Sequence, residues 1–449
     1  MHPFASYVLR SYYKATGWNE DNLFTNLTRS SDAILDFTPP HGLTLNISKS
    51  PNALFKTTYS MNAIPSLNGS VGYIFTSCDL DVGSSGGVRF KDMVERFRVF
   101  DQPRRPEGKG EEWLAGERVD TRDYLMYGRL YIPTGRLDAL YSTRLSSTVQ
   151  AVVAAISSPP TQTSYNPLYP NANQNTQALL TQSPNSNLMF YLQHDVGKWC
   201  TEYSWSAEDG MWGVKVLHNF GRLASSGSSG TAAPAVKERV KRVDEEDAVE
   251  GGLRGRLSAG AEVYFSAREK SAGVSTGIRF STLPDASPPS SQVPPPSPFS
   301  PSPSDASPVP STYSQPPTTI TALFNPMLGH LSTAYSARVS SDLSLSSRFD
   351  FNVYSYESEW TMGAEYWLRR SRSMKRGDED TTALTESFER KMDVHGVVKV
   401  RASTSNDVSI MWEGRIRNML ISLGVVSGRG QPIRAVGVEF NYFSSDAGS

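Results

Sequence analysis

The chain has 449 residues, 38% of them hydrophobic, with a mean hydropathy of −0.39 and a formal net charge of −1. No run approaches the ~18 consecutive apolar residues that a membrane-spanning helix needs, and the best candidate, Ala151–Ile156, is far shorter. A helical membrane protein is therefore excluded, near-neutral charge gives no electrostatic case for nucleic acid, and two distant cysteines, Cys78 and Cys200, cannot build a disulfide framework.

Residues 1–38 read as a helical segment. Arg10 and Lys14 interrupt the apolar core that a secretory signal needs, and Glu20 and Asp21 make a poor cleavable presequence. Phe4, Ala5, Val8, Leu9, Tyr12 and Tyr13 recur at helical spacing, Gly17 breaks the run, and a second piece carries Leu23, Phe24 and Leu27. An apolar stripe of this kind normally seeks a partner. The expectation is that the segment packs inside the lumen formed by the rest of the chain, against wall aromatics such as Tyr264.

From Pro39 the texture changes to short alternating segments separated by turns such as Ser50–Asn52 and Pro133–Gly135. The period-2 reading places strands at 43–49, 53–61, 67–76, 124–132, 136–145, 148–157, 187–196, 199–207, 211–220, 252–267, 273–282, 318–324, 329–339, 342–355, 359–369, 393–403, 406–416, 418–426 and 433–443. The clearest segment is 252–268. Leu253, Leu257, Ala259, Ala261, Val263 and Phe265 fall on one face, and Arg254, Arg256, Glu262 and Arg268 on the other, a division that only a strand period produces. Segment 342–355 opposes Arg348, Asp350 and Asn352 to Leu343, Leu345, Phe349, Phe351 and Val353; segment 393–403 opposes His395, Lys399 and Arg401 to Val394, Val398, Val400 and Ala402.

Long insertions at 80–122, 158–186, 221–250, 283–317 and 370–392 fall between strands, as tolerated loops do. A helix is expected near Val88–Phe100, and the Pro/Ser tract at 283–317 cannot pack a core. The barrel domain is thus expected over 39–443, with a short tail at 444–449.

Charge and aromatic placement argue for a membrane barrel of about nineteen strands over a soluble β-protein. Unpaired charges facing a dry core are costly. The inward positions expected for Arg254, Arg256, Glu262, Arg268, Arg348, Asp350, Lys399 and Arg401 suit a polar, wet lumen behind a lipid-facing exterior. Tyr59, Tyr73, Trp199, Trp212, Trp360, Tyr366, Trp412, Tyr442 and Phe443 lie mostly near strand ends, where interfacial girdles form. An odd strand number makes the first and last strands parallel, so 43–49 is expected to pair with 433–443.

No catalytic constellation stands out, and the chain is not expected to be an enzyme or to carry a cofactor. Gly273–Gly277 matches the hydrolase G-x-S-x-G string, but that motif needs a strand-to-helix elbow and here it lies within an alternating strand. His2, His41, His194, His218, His330 and His395 lack metal-ligand spacing. The Asn-x-Ser/Thr triplets at Asn26, Asn46 and Asn68 carry no weight without a signal peptide. The basic runs Lys237–Arg242 and Arg369–Arg376 could touch anionic lipid headgroups, with solvated loop charge the favoured reading.

The block Tyr7–Asn19, the run Ser30–Phe37, and the stretches Gly42–Asn46, Gly69–Thr76 and Asp123–Pro133 resemble the fungal mitochondrial distribution and morphology family, member ten. The resemblance implies a nineteen-stranded mitochondrial outer-membrane barrel at ER–mitochondria contact sites, with two roles. One is to anchor the tether that joins the two organelles and supports phospholipid exchange and mitochondrial shape. The other is to join the sorting and assembly machinery during late assembly of the outer-membrane translocase. The implied partners are the other encounter-structure subunits, the sorting machinery core, translocase subunits and membrane lipids. A conducting or translocating pore is the alternative. The resemblance also implies a sorting signal in the last strand, with Gly437, Phe440 and Tyr442 in three of its positions and Ala435 where a polar residue is usual.

Overall fold

The structure, a computed structural model, describes residues 2–80, 82–100, 103–106, 113–114, 117–118, 122–159, 186–221, 255–282, 316–369, 394–405, 407–428 and 431–445. Nineteen strands form one sheet. They are β1 Gly42–Ser50, β2 Phe55–Ile64, β3 Asn68–Thr76, β4 Tyr124–Ile132, β5 Leu137–Arg144, β6 Val149–Ser157, β7 Ser186–Asp195, β8 Trp199–Ser206, β9 Met211–Asn219, β10 Gly255–Ser266, β11 Ser271–Thr282, β12 Thr318–Asn325, β13 His330–Arg338, β14 Leu343–Asn352, β15 Ser358–Arg369, β16 Val394–Ser403, β17 Val408–Ile416, β18 Met419–Gly428 and β19 Gln431–Ser445. Each strand pairs antiparallel with the next, and β1 closes the ring by pairing parallel with β19, from Gly42 opposite Gly437 to Ser50 opposite Ser445. Closure leaves no edge, which lipid would not tolerate because unpaired backbone groups there have no water to bond.

The two faces of the sheet follow the alternation. Outward positions are apolar and exposed, among them Leu257, Val263 and Phe265 on β10 and Leu345 and Phe349 on β14. Tyr59, Tyr73, Trp199, Trp212, Trp360, Tyr366 and Tyr442 are also exposed on the outside. Phe443 departs from the expected girdle: it faces the lumen and is 3% exposed. The expected sides of Val394 and His395 are reversed: a register shift between Leu368 and Arg369 on β15 takes up one extra residue of β16, so Val394 is buried and His395 exposed.

Strands alternate in direction, so the connections after β3, β9, β11 and β15 all leave the same end of the barrel. Four of the five insertions therefore emerge together, and the fifth, after β6, emerges opposite. Most insertion residues lie outside the described ones, including the 283–317 tract up to residue 315. The first insertion is the exception. Its described part turns inward, burying Leu80, Val82, Phe90, Val94, Phe97 and Phe100, so residues 82–100 are not a surface loop. Helix occupies only Phe90–Met93 (α3) of the expected Val88–Phe100.

Before β1 the chain forms α1 (Pro3–Thr16), 3-10 turns at Glu20–Asn22 and Phe24–Asn26, and α2 (Arg29–Leu35). His2 caps α1 by accepting the Phe4 amide at Nδ1, 3.2 Å away. Gly17 ends the helix at φ 69°, a left-handed position that glycine adopts without steric cost.

Candidate functional site

The residues that converge in this molecule do so inside the barrel, where the N-terminal segment meets the wall. Phe4, Ala5, Tyr7, Val8 and Tyr12 of α1 pack with Ile74, Leu125, Tyr127, Trp367, Val397, Leu420 and Phe443 of the wall and with Leu80, Val82, Phe90 and Val94 of the inward segment. Downstream, Leu23, Phe24 and Leu27 pack against Cys200 and Leu217, with Leu323 alongside. The wall partner expected at Tyr264 is not used by α1; that ring lies over Gly273 of the neighbouring strand.

Bare positions in the wall receive the segment. A side chain at Gly260 would meet the Phe24 ring at 2.6 Å, and one at Gly277 would meet Leu27 at 2.9 Å. At Gly363 it would meet Leu35 at 2.8 Å and Ile34 at 3.0 Å. At Gly424 it would meet Pro39 at 2.7 Å, and at Gly437 it would run into the Pro40 carbonyl and the His41 nitrogen. These glycines are shallow sockets that let the segment lie against the sheet. Gly437 accordingly has an internal reason to be glycine: the chain crosses over it on its way into β1.

Several of the charges expected to face a wet lumen grip the same segment. Arg348 donates to both oxygens of Asp36 at 2.7 and 3.0 Å and also pairs with Asp350 at 3.1 Å. The Lys399 ammonium donates to the Ala33 carbonyl at 2.8 Å, and Arg401 donates to the Leu35 carbonyl at 2.9 Å, so two inward cations cap the carbonyl end of α2. Glu262 pairs with Lys215 at 3.2 Å, and Lys215 reaches the Thr25 hydroxyl. Arg256 faces inward and is buried. Arg268 does not: it lies beyond β10 in the turn to β11, exposed, bonded to the Glu208 carbonyl, because the strand ends at Ser266. Arg254 falls outside the described residues. Where these charges touch α2 and its flanks, protein groups are among their partners.

Further contacts escaped sequence reasoning. Asn22 donates to Asp195 at 2.7 Å, Thr25 bonds Glu202, and Arg144 donates to the Thr16 carbonyl. Arg29 bridges Glu20 (2.7 Å), Asp21 (3.2 Å) and Glu95 (3.4 Å), joining the N-terminal segment to the inward insertion. Burial in this network raises the Asp21 carboxyl, while Arg98 and Arg29 oppose the shift. Asp32 is pushed up to about 6, chiefly by burial.

The closing seam lies beside this assembly. Asn46 of β1 donates to Glu439 at 2.6 Å and to Asn441 at 2.8 Å on β19, so this triplet asparagine is engaged inside the barrel. Phe443 is held by Phe4 and Tyr7, ring centroids 5.2 and 6.1 Å away, and its carbonyl accepts the Ser85 amide at 2.9 Å. Of the expected sorting-signal residues, Tyr442 points outward and is exposed, Phe440 shares that face half-buried, and Gly437 points inward. Ser275 of the hydrolase-like string sits mid-strand, bonded to Asn325, with no elbow.

The family model described as mitochondrial distribution and morphology protein 10 matches residues 1–393 and 373–444. The chain belongs to this family. Among its relatives, the protein of that name from Laccaria bicolor is 69% identical over 457 residues, covering 99% of this chain and 100% of the relative. The Coprinopsis cinerea protein is 68% identical with the same coverage. The Phaeosphaeria nodorum protein is 34% identical, covering 99% of this chain and 100% of its own length. The matches run through the helical segment and the strands alike, so the lumen assembly and the barrel lie within the span that the family shares.

Proposed function

We propose that the chain is a non-catalytic, non-conducting scaffold barrel of the mitochondrial outer membrane, placed at contacts with the endoplasmic reticulum. In this reading it anchors a tether that supports phospholipid exchange and mitochondrial shape and distribution, and it serves the sorting and assembly machinery during late assembly of the translocase and other barrels. The partners are the tether subunits, the machinery core, translocase subunits and membrane lipids. The observation that carries the scaffold reading over a pore is the lumen: glycine sockets and the charges of Arg348, Lys399 and Arg401 hold the N-terminal segment across it. A gate that had to swing free would not be gripped along its whole length. Family membership supports the mitochondrial part of the reading, and the apolar exterior supports the membrane part. Carbonate extraction of mitochondria followed by cross-linked partner identification tests it. The protein is expected in the membrane pellet, cross-linked to tether and assembly subunits; a soluble protein, or one cross-linked to neither group, overturns the reading.

A further inference from the structure

The lumen is not filled throughout. The polar face of α1, the turn at Glu20–Asn22 and residues within 91–100 and 104–106 border an open cavity of about 1090 Å³. Its wall includes Asp79 and Leu80, just past β3, and Arg104 and Arg105, whose backbone lies against Gly197 of the β7–β8 turn. It therefore sits at the end of the barrel where four insertions emerge.

Eight basic and five acidic side chains line this vestibule. Arg29, Arg98 and Arg10 engage Glu20, Asp21 and Glu95, while Asp92 turns to Arg89 at 3.0 Å. Among the described residues, Lys14, Arg96, Arg104 and Arg105 have no carboxylate within ion-pair distance, and Lys91 stands 5.7 Å from the Trp367 ring centre. The backbone that carries part of this basic wall is pinned. The Glu95 carbonyl accepts from Lys399 at 2.6 Å, the Phe97 carbonyl accepts from Arg338 at 3.3 Å, and the Arg98 carbonyl accepts from Ser30 at 2.8 Å. Like charges that line one cavity repel one another, and an anion in it relieves that repulsion. Guanidinium forks match phosphate oxygens in particular.

We propose that this vestibule binds a phosphate-bearing anion, held by Arg96, Arg104 and Arg105 with Lys14 and Lys91 at its margin. The phosphate belongs either to a lipid headgroup at the membrane surface or to a soluble compound. The site adds a ligand to the scaffold reading and does not depend on it.

The test uses the full chain in phosphatidylcholine nanodiscs, titrated with inorganic pyrophosphate by calorimetry. Saturable binding is expected, weakening with salt and falling roughly tenfold or more in R96Q/R104Q/R105Q, while R136Q on a distant exposed turn leaves it unchanged. The single variants R104Q and R105Q, at exposed positions, give the same comparison should the triple variant fold poorly. A second arm replaces part of the phosphatidylcholine with phosphatidic acid. Suppressed pyrophosphate binding there identifies a lipid headgroup as the occupant, and unchanged binding identifies a soluble phosphate compound. Absent binding in the first arm, or binding untouched in both the triple and the single variants, overturns the proposal.

Discussion

Phe24 is the most informative side chain to remove. It is 6% exposed, and its ring sits over Gly260 and Gly277, which have no side chains with which to fill the space it leaves. Truncating a buried Phe to Ala costs ~3–5 kcal/mol, more where the surroundings cannot collapse. Applied to docking of the N-terminal segment, and at 1.4 kcal/mol per tenfold, Phe24→Ala should raise the undocked population by about two to three and a half orders of magnitude. Phe24→Leu keeps most of the buried area and should recover most of the loss. Amide hydrogen exchange over residues 19–37 of the reconstituted protein reads the effect directly, because local opening sets those rates. Strand amides of β2, away from the wall that holds residues 19–37, provide the internal standard and should not move. Exchange over 19–37 within twofold of the unaltered protein would refute the reasoning, since it would mean that the sockets do not hold the segment.

Gly437→Leu should expose residues 2–40 to protease in the full chain, by clash with Pro40, and should be harmless in a chain already lacking those residues; equal damage in both backgrounds would place its role in sorting instead. Replacing Phe440 and Tyr442 together with Ser should block assembly into high-molecular-weight complexes on native gels after import, whereas Ala435→Ser should be neutral or mildly helpful; normal assembly of the double variant removes these residues from the sorting signal. His2 is 2% exposed, and burial lowers its pKa from 6.5 to about 3. Its neutral form is the one that fits, so docking of the first helical turn is unaffected above about pH 6.5 and weakens as pH falls below it, by about 2 kcal/mol at pH 5. Proteolysis near Phe4 should therefore quicken between pH 7 and 5 in the native chain but not in His2→Gln, and a pH response retained by that variant would assign it to another group. Cysteines placed at Leu257 and Arg256 should differ in labelling by a water-soluble thiol reagent, and full labelling at both would argue against a membrane barrel.

The strands were legible because one face is apolar and turned outward and the other lines the lumen, which stamps period 2 on segments such as 255–266 and fixes the directions of Leu257 and Arg256 together. The parallel seam followed from the parity of the strand count. The helical segment was legible in the stripe of Phe4, Val8 and Tyr12, but its partners were not, because packing across the lumen joins residues hundreds of positions apart. The inward course of residues 82–100 is hidden in the sequence because charged residues and glycines interrupt its apolar ones. The usable signal was the spacing of Phe90, Val94, Phe97 and Phe100, four large apolar residues that a solvated loop does not need. The sockets were equally hidden, since Gly260, Gly277, Gly363, Gly424 and Gly437 look in isolation like weak points in strands. Only the bulk of the segment lying on them explains the missing side chains.

The most direct test of the proposed non-conducting scaffold is conductance in planar bilayers, comparing the full chain with one lacking residues 2–38. The full chain should show little sustained current, and the shortened chain, provided that it still inserts, should show large, long-lived openings, because removing the segment clears the wall at Gly260, Gly277 and Gly363. Equal, porin-sized conductance from both would contradict the account and make the chain a pore.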